Sequence, residues 1–229
     1  NAKDNHGLVA ENTATHEFWV NFKPVSAQLA PTFSSVLGET MATVGLSTIY
    51  LNENGSDYEP NYPLSYTWNV TSSAGYVYTN TTSVHPSYIP ATNGSHTFHL
   101  WVKDSLGAPA ANTATTAIPV NARPVATQNS YLFAYSAAGE TAITTGLTTI
   151  TLRSSSYDVD GDLLTYHWVL RDVDATDISN LLSSTGARDP TFIPTVRQTH
   201  TTLLAVSDTR LAPTLVNAVS ASSVYAQGR

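Results

Sequence analysis

An internal repeat with a period of about 100 residues constrains the fold of this chain more than any other feature of its sequence. Five blocks recur in the same order at offsets of about 100 to 104 residues. They pair Lys23–Val25 with Arg123–Val125, Gly38–Thr40 with Gly139–Thr141, Gly45–Leu51 with Gly146–Leu152, Pro86–Pro90 with Pro190–Pro194, and Thr97–Asp104 with Thr201–Asp208. Because the blocks keep their order, the chain consists of two copies of one structural unit.

Each unit has the pattern of a small all-β domain. Short β-branched and aromatic runs alternate with Gly, Pro, Asn and Ser, and long helical periodicity is absent. We therefore predict two antiparallel Ig-like β-sandwiches in tandem, residues 23–122 and 123–229, with negligible helix and a short, stiff connection between them. Residues 1–22 form an N-terminal extension. The predicted core side chains are Tyr66, Trp68 and Trp101 in the first unit and Tyr166, Trp168 and Leu204 in the second.

The second unit resembles polycystic-kidney-disease-type (PKD) domains. The resemblance is carried by Pro124–Ala126, by the segment S-Y-D-V-D-G-D-L-L-T-Y-H-W at Ser156–Trp168, and by A-V-S-D at Ala205–Asp208. The first unit departs from this pattern at Asn54–Trp68 and joins it through the internal repeat. The resemblance implies Ig-like sandwiches of an extracellular protein and implies no particular activity.

Three carboxylates alternate along the turn before the second Tyr-x-Trp strand. Asp158, Asp160 and Asp162 surround Gly161, which can adopt positive φ in a tight turn. Alternating carboxylates can also converge on Ca²⁺, which takes six to eight oxygen ligands. Two interpretations remain open, a calcium site or a solvated turn. Ligands that could complete a calcium shell are Asp172, Asp174, Asp177 and Asp208, and the first unit has the weaker counterpart Asp57, Glu59 and Asn61.

The N-terminal extension resembles the last strand of a sandwich. Asn12–Thr15 recurs as Asn112–Thr115, and Val20-Asn21 recurs as Val120-Asn121 just before the second unit. No sandwich precedes this strand in the sequence. Its side chains Phe18, Trp19, Val20 and Phe22 are too apolar for a free tail, so we predict that they form a subunit interface by pairing with another chain.

Composition narrows the classes of function. The net charge of −7 argues against a nucleic-acid partner, and no run of about 20 apolar residues could span a membrane. Only 12% of residues are charged, and Ser and Thr are abundant, which is typical of extracellular or cell-surface proteins. The chain starts at Asn1 without an apolar leader, which fits a mature secreted protein or a cloned fragment.

Catalytic and metal motifs are missing from the sequence. It has no Cys, G-x-S-x-G, H-E-x-x-H or P-loop, so we predict that the protein is not an enzyme. His96 and His99 fall on opposite faces of a strand, and His96 is equivalent to His200, which indicates a structural role. Asn54, Asn69, Asn80 and Asn93 begin N-x-S/T sequons and are candidate glycosylation sites.

Two functions follow from these features. The first is a structural subunit of a surface filament or pilus-like assembly, a homo-polymer in which the N-terminal strand inserts into a neighbouring subunit. The alternative is an accessory spacer, or a module that binds a carbohydrate or protein ligand, excised from a larger secreted hydrolase or adhesin. In both cases the only cofactor that the sequence suggests is Ca²⁺.

Overall fold

The chain is all-β. A computed structural model describes residues 3, 5–6, 15–34, 39–58, 63–75, 77–80, 83–134, 141–210 and 218–227. The strands are β1 Thr32–Phe33, β2 Ala42–Thr43, β3 Ile49–Tyr50, β4 Ser65–Ser72, β5 Val77–Asn80, β6 Ser87–Tyr88, β7 Gly94–Lys103, β8 Ala114–Asn121, β9 Gln128–Ala134, β10 Thr149–Ser154, β11 Thr165–Arg171, β12 Thr191–Phe192, β13 Thr199–Ser207 and β14 Ala218–Tyr225. The described residues contain one 3₁₀ turn, Ser179–Leu181, and no helix able to cross a membrane.

The first half of the chain forms one sandwich. A five-stranded sheet in the order β2-β8-β7-β4-β5 and a three-stranded sheet in the order β1-β3-β6 enclose its core. Alternation along each strand sends one set of side chains inward. The buried core consists of Ala42, Ile49, Leu51, Trp68, Val70, Tyr88, Phe98, Leu100, Val102 and Val120.

The second half forms a separate sandwich of the same kind. Its sheets run β11-β13-β14 and β12-β10-β9, and its buried core consists of Ile150, Leu152, Trp168, Leu170, Leu182, Phe192, Leu204, Val206 and Val224. Trp168 lies opposite Leu204, as Trp68 lies opposite Leu100 in the first sandwich. Both Trp side chains are fully buried, which confirms the predicted repeat of one Ig-like architecture.

One pairing departs from the predicted antiparallel pattern in both sandwiches. Ala42 of β2 pairs with Val120 of β8 in parallel, and an isolated parallel bridge joins Thr144 to Gln227. The last strand of each sandwich is therefore flanked by a short segment from earlier in the same unit. This equivalence places Gln227 of the second sandwich where Asn121 lies in the first.

The prediction that Trp101 is a core residue is wrong, because 39% of its surface is exposed. In β7 the buried neighbours Leu100 and Val102 face the core, so Trp101 faces outward between them. Tyr66 and Tyr166 are partly buried at the edges of the two cores, less deeply than predicted.

Candidate assembly interface at the N-terminal segment and the joint

The described part of the N-terminal segment, residues 15–24, forms no strand in the single chain. Its apolar side chains lie in solvent, with exposed fractions of 78% for Phe18, 95% for Trp19, 63% for Val20 and 52% for Phe22. Runs of large apolar side chains at this level of exposure mark interaction sites in soluble proteins. The segment thus has the surface that pairing with another sheet would bury.

The C-terminal end of this segment is fixed to the first sandwich. The side-chain amide of Asn21 donates a 2.6 Å hydrogen bond to Oδ2 of Asp104, whose Oδ1 accepts a bond from the backbone N–H of Ala108. The Asn21 bond is the main reason that the pKa of the Asp104 carboxyl lies below its usual value. The ring centroids of Phe22 and Tyr58 lie 5.0 Å apart, so Phe22 already has a partner in its own chain.

The same Asn–Asp contact recurs between the two sandwiches. The side-chain amide of Asn121, the last residue of β8, donates a 2.9 Å hydrogen bond to Oδ2 of Asp208. Asn21 and Asn121 are also equivalent in the sequence repeat. The N-terminal segment therefore contacts the first sandwich through the same kind of Asn–Asp bond by which the end of β8 contacts the second sandwich.

The next residues strengthen this equivalence. The backbone N–H of Val25 donates to the carbonyl of Ser56 at 2.8 Å, and that of Val125 donates to the carbonyl of Tyr157 at 2.8 Å. The contacts of Asn21 and Val25 with the first sandwich therefore repeat those of Asn121 and Val125 with the second.

A buried ion pair ties the joint between the sandwiches together. Nη2 of Arg123 lies 2.6 Å from Oε1 of Glu39, and the Glu39 side chain is only 2% exposed. The backbone N–H of Ala122 donates a 2.6 Å hydrogen bond to Oδ2 of Asp160, and the Asn93 side-chain amide donates to Oδ1 of the same carboxylate. These contacts support the predicted stiff connection.

Arg210 adds a second set of contacts across the joint. Its Nε lies 3.2 Å from Oδ2 of Asp162, and its Nη1 lies 3.0 Å from the Met41 sulfur. Its carbonyl accepts hydrogen bonds from the backbone and hydroxyl of Thr40. We call the contacting residues of the first sandwich, 39–41, 93 and 121–122, its crown. We call those of the second sandwich, 123, 160, 162, 208 and 210, its base.

Sequence reasoning did not find this joint. Its contacts connect residues about 40 to 170 positions apart, which a pattern along the chain does not bring together. The repeat gave a partial signal for the ion pair. The block of Arg123 has a basic residue in both units, and the block of Glu39 has a glutamate in both units.

The predicted acidic cluster forms and lies in this base. Ligand oxygens of Asp158, Asp160 and Asp162 lie within 4.8 Å of one another. Gly161 has φ +77°, as the turn interpretation requires, and Oδ1 of Asp158 accepts the N–H of Asp160 at 2.7 Å. A hydrogen-bonded turn therefore holds the three carboxylates together.

The geometry fits a hard cation only in part. Asp158 contributes a buried Oδ2 without a hydrogen-bond partner, and burial raises the pKa of this carboxyl. The carboxylates of Asp160 and Asp162 already bond to Asn93 and Arg210, so a cation would have to share or displace these donors. The calcium prediction remains untested.

The proposed additional ligands divide into two groups. Asp208 lies close enough to Asp158 to raise its pKa further. Asp172 accepts the backbone N–H groups of Asp174 and Thr176 in its own turn, and Asp177 bonds to Ser179. Both carboxylate oxygens of Asp208 already accept hydrogen bonds, from the Asn121 amide and the backbone N–H of Arg210. Among the described residues, the group of mutually close carboxylates comprises Asp158, Asp160 and Asp162 and does not include Asp208.

The counterpart cluster in the first unit is described only at Asp57, since Glu59 and Asn61 lie outside the described residues. Both carboxylate oxygens of Asp57 are buried without a hydrogen-bond partner. Asp57 and Asp158 occupy equivalent positions, one residue after the bridges to Val25 and Val125. At this equivalent position each sandwich therefore carries an aspartate with at least one buried carboxylate oxygen that has no hydrogen-bond partner.

The histidines have the predicted structural role. His96 and His200 are 0% and 1% exposed at equivalent positions, and burial lowers the pKa of both. Nδ1 of His96 lies 3.1 Å from the Tyr88 hydroxyl inside the core. His99, on the opposite face of β7, stacks on Trp101 with the ring centroids 5.7 Å apart.

Trp101 lines a half-open groove of about 380 Å³ on the outer face of the first sandwich. Thr67, Lys103, Pro109 and Asn112 also line it, but Asn112 uses both its amide oxygen and its amide nitrogen on the backbone of Ser26. The groove thus presents the aromatic face of Trp101 beside the polar side chains of Thr67 and Lys103.

The sequons occupy different environments. Asn54 is exposed in a loop, whereas Asn69 is partly buried within β4 and has a buried Oδ1. The amide of Asn93 is engaged in the joint, and the side chain of Asn80 lies outside the described residues. Asn54 is therefore the most accessible of the described acceptors, while glycosylation at all four sites remains a prediction.

Comparisons with known proteins give the fold. No protein family matches the sequence, and no curated protein matches it. The three N-terminal domains of the bacteriophage RB49 highly immunogenic outer capsid protein (Hoc) superpose with a TM-score of 0.50 and 11% identity, over 90% of this chain and 71% of that one.

Two weaker structural likenesses also involve multi-domain chains. Sidekick-1 immunoglobulin domains 1–4 superpose with a TM-score of 0.40 and 14% identity, over 95% of this chain and 51% of that one. Human CDH23 EC21-23 superposes with a TM-score of 0.42 and 16% identity, over 91% and 70%. The two sheets of each sandwich and the superposition on the Hoc domains show a tandem of Ig-like β-sandwiches, whereas membership of the PKD type stays a prediction.

Proposed function

We propose that this chain is a non-catalytic structural subunit of an extracellular or cell-surface filament. In this assembly, residues 12–22 form the last strand of a sandwich in a neighbouring subunit. The observation that carries the proposal is the contact of Asn21 with Asp104, which repeats the contact of Asn121 with Asp208. β8 is a sandwich strand that ends at Asn121. Asn21 is the equivalent asparagine, so we expect the residues before it to form the equivalent strand.

The side-chain pattern of the segment supports this role. Phe18 and Val20 are equivalent to Ile118 and Val120, which pack on the first core from β8. As a strand in a neighbour, the segment would bury both side chains and match its backbone N–H and C=O groups to those of the adjacent strand. Burial of these two side chains alone would contribute about 1.5–3 kcal/mol each before the costs of association.

The second sandwich of a neighbouring subunit is the acceptor that this proposal requires. Its equivalent place is occupied by β14, in which Ser222 and Val224 face the core, and by the buried Ala226 just after β14. A donated strand would place Phe18 and Val20 where Val224 and Ala226 lie, so it would bring more apolar surface to the core. The proposal is therefore a strand exchange in which the donated segment displaces β14.

Sedimentation velocity tests the proposal. The full chain is compared with a chain that lacks residues 1–20, which keeps Asn21 and Phe22 and hence the contacts with Asp104 and Tyr58. We expect concentration-dependent oligomers for the full chain and a monomer for the truncated chain. A full chain that stays monomeric, or a truncated chain that assembles as well as the full one, would contradict strand donation.

The second candidate is an accessory module of a larger secreted protein. The observation that favours it is β14 itself, because the second sandwich already has a last strand of its own. The N-terminal segment would then belong to a preceding sandwich in the same polypeptide. In that case the isolated chain stays monomeric at all concentrations, and the exposed Trp101 groove is the place to look for a carbohydrate or protein ligand.

A further inference from the structure

The half-open groove beside Trp101 is built by the way in which β7 ends. β8 pairs with β7 only as far as Leu100, so beyond this residue β7 is flanked by the loop 109–113 instead of a strand. The outward side chains Trp101 and Lys103 line the groove together with this loop and with Thr67, which lies opposite Trp101 on β4. Its volume of about 380 Å³ falls within the range of small-molecule sites, about 300–1,000 Å³.

Hydrogen bonds hold the loop wall of the groove in place without a ligand. The side-chain oxygen of Asn112 accepts the backbone N–H of Ser26, and its amide nitrogen donates to the carbonyl of the same residue. The backbone N–H of Ala110 donates to the carbonyl of Val102 at 2.8 Å. The groove therefore exists before binding, so a ligand that enters it has little ordering of the protein to offset.

The repeated fold does not require the two outward side chains of the groove. In the second sandwich, β13 carries Ala205 and Ser207 at the positions of Trp101 and Lys103. β13 nevertheless pairs with β11 on one side and with β14 on the other. The exposed indole and ammonium are therefore additions to the common architecture, which indicates a role in binding.

Trp101 supplies a flat apolar surface inside the groove. The indole is 39% exposed, and His99 stacks on it without lining the groove. This stacking limits rotation of the indole and leaves its groove side open. A pyranose ring has an apolar face of C–H groups and a rim of hydroxyls, so it can stack on the indole while its rim bonds to the Thr67 hydroxyl.

Lys103 gives the groove a positive charge in a protein whose net charge is −7. It is the only charged residue among the described residues that line the groove. Neither of the salt bridges of the described structure involves its ammonium. An unpaired ammonium beside a stacking surface favours a ligand in which a negative charge is attached to a ring.

We infer that the groove binds an acidic glycan, with a uronic-acid ring stacked on Trp101 and its carboxylate on Lys103. A protein partner fits less well, because a standard interface covers about 800 Å² of each partner around an apolar centre. Asn69 and Thr97, the outward neighbours on β4 and β7, are polar. The site does not depend on strand donation, since the described residues of the N-terminal segment do not line it.

Titration calorimetry with trigalacturonate at low salt tests this site. The methyl ester of the same sugar keeps the rings and removes the charges. We expect Trp101→Ala to weaken trigalacturonate binding about tenfold through lost stacking, and Lys103→Ser to weaken it about threefold. The methyl ester should bind to the wild type and to Lys103→Ser with equal affinity, because it has no charge for the ammonium to contact.

Two matched variants control for the loss of a ring or of a charge elsewhere. Tyr50→Thr removes an exposed ring from β3, where the second sandwich has Thr151, and Arg153→Ser removes an exposed positive charge. Both should bind trigalacturonate as tightly as the wild type. Trp101→Ala and Lys103→Ser also install residues of the second sandwich, so both should fold. A shift of the Trp101 indole N–H signal in NMR spectra of the wild type is a second readout that needs no variant.

The outcomes test the groove separately from the assembly. No binding of trigalacturonate to the wild type, or binding that Trp101→Ala leaves unchanged, would overturn the inference. Equal affinities for the acid and its methyl ester would overturn the assignment of an acidic ligand. The chain that lacks residues 1–20 should bind the sugar as tightly as the full chain, whether or not the full chain assembles. Failure of strand donation would therefore leave this inference standing.

Discussion

The side-chain amide of Asn21 donates a hydrogen bond to the carboxylate of Asp104 across 83 positions of the chain. An Asn and an Asp at the equivalent positions join the two sandwiches. In each sandwich, an aspartate at the equivalent position accepts a hydrogen bond from the chain segment that precedes the sandwich. The same contact therefore occurs twice in the chain. This repetition is the basis of the proposed head-to-tail assembly.

Removal of the Asn21 amide should raise the pKa of Asp104. Donation from Asn21 is the largest cause of the lowered pKa in the folded protein. A lowered pKa contributes stability above the unfolded pKa, and this contribution is lost as the pH falls through the folded value. We therefore expect Asn21→Ala to shift the NMR titration of the Asp104 carboxyl upward and to reduce the difference in stability between neutral and acidic pH.

Asn112→Ala controls for a general loss of structure, because Asn112 bonds to Ser26 and not to Asp104. The titration of Asp104 should be unchanged in this variant. An unchanged titration in Asn21→Ala would mean that the contact does not persist in solution.

Loss of the Arg123 guanidinium should destabilise the joint. Glu39 would keep a buried negative charge without its cation, and breaking a buried pair costs about 3–5 kcal/mol. Because the Arg123 side chain is 27% exposed, we expect a smaller cost of about 2 kcal/mol for Arg123→Met in urea unfolding. Glu39→Gln should recover part of this loss in the double variant, and additive effects of the two changes would contradict the pairing.

Calcium binding at Asp158, Asp160 and Asp162 should raise the melting temperature of the second sandwich in scanning calorimetry. Asp158→Asn should remove this increase, because Asp158 carries the buried oxygen without a partner. Asp177→Asn is the control, since the Asp177 carboxylate accepts hydrogen bonds from Ser179 in a separate turn. Identical melting curves in calcium and in chelator would leave only the turn interpretation.

The sequence predicted the sandwiches well because alternation and repetition act locally. Trp68 and Trp168 fall on alternating strands in which the opposite face is mostly polar, so their burial follows from the pattern. Trp101 lies in β7, where Leu100 and Val102 on one face compete with Trp101 on the other. Both faces are apolar at this point, and alternation alone does not choose between them. The counterpart of Trp101 is Ala205, a comparison that favours the Leu100 face as the core.

The contacts between the two sandwiches could not be predicted from the sequence, for a different reason. The acidic turn was predicted from Asp158, Asp160, Asp162 and Gly161, because all four lie within five consecutive residues. Its contact with Ala122 depends on how the second sandwich folds back onto the connecting segment. That closeness arises from tertiary packing, which spacing along the chain does not encode.

Binding of the N-terminal strand in trans tests the account most directly. A synthetic peptide of residues 12–22 is titrated into the chain that lacks residues 1–20 and followed by calorimetry. We predict saturable binding, which Phe18→Asp in the peptide abolishes because a carboxylate would enter the core of the acceptor, whereas Glu17→Gln in the peptide leaves it intact. Equal heats for the wild-type and Phe18→Asp peptides, or no binding by either, would contradict strand donation.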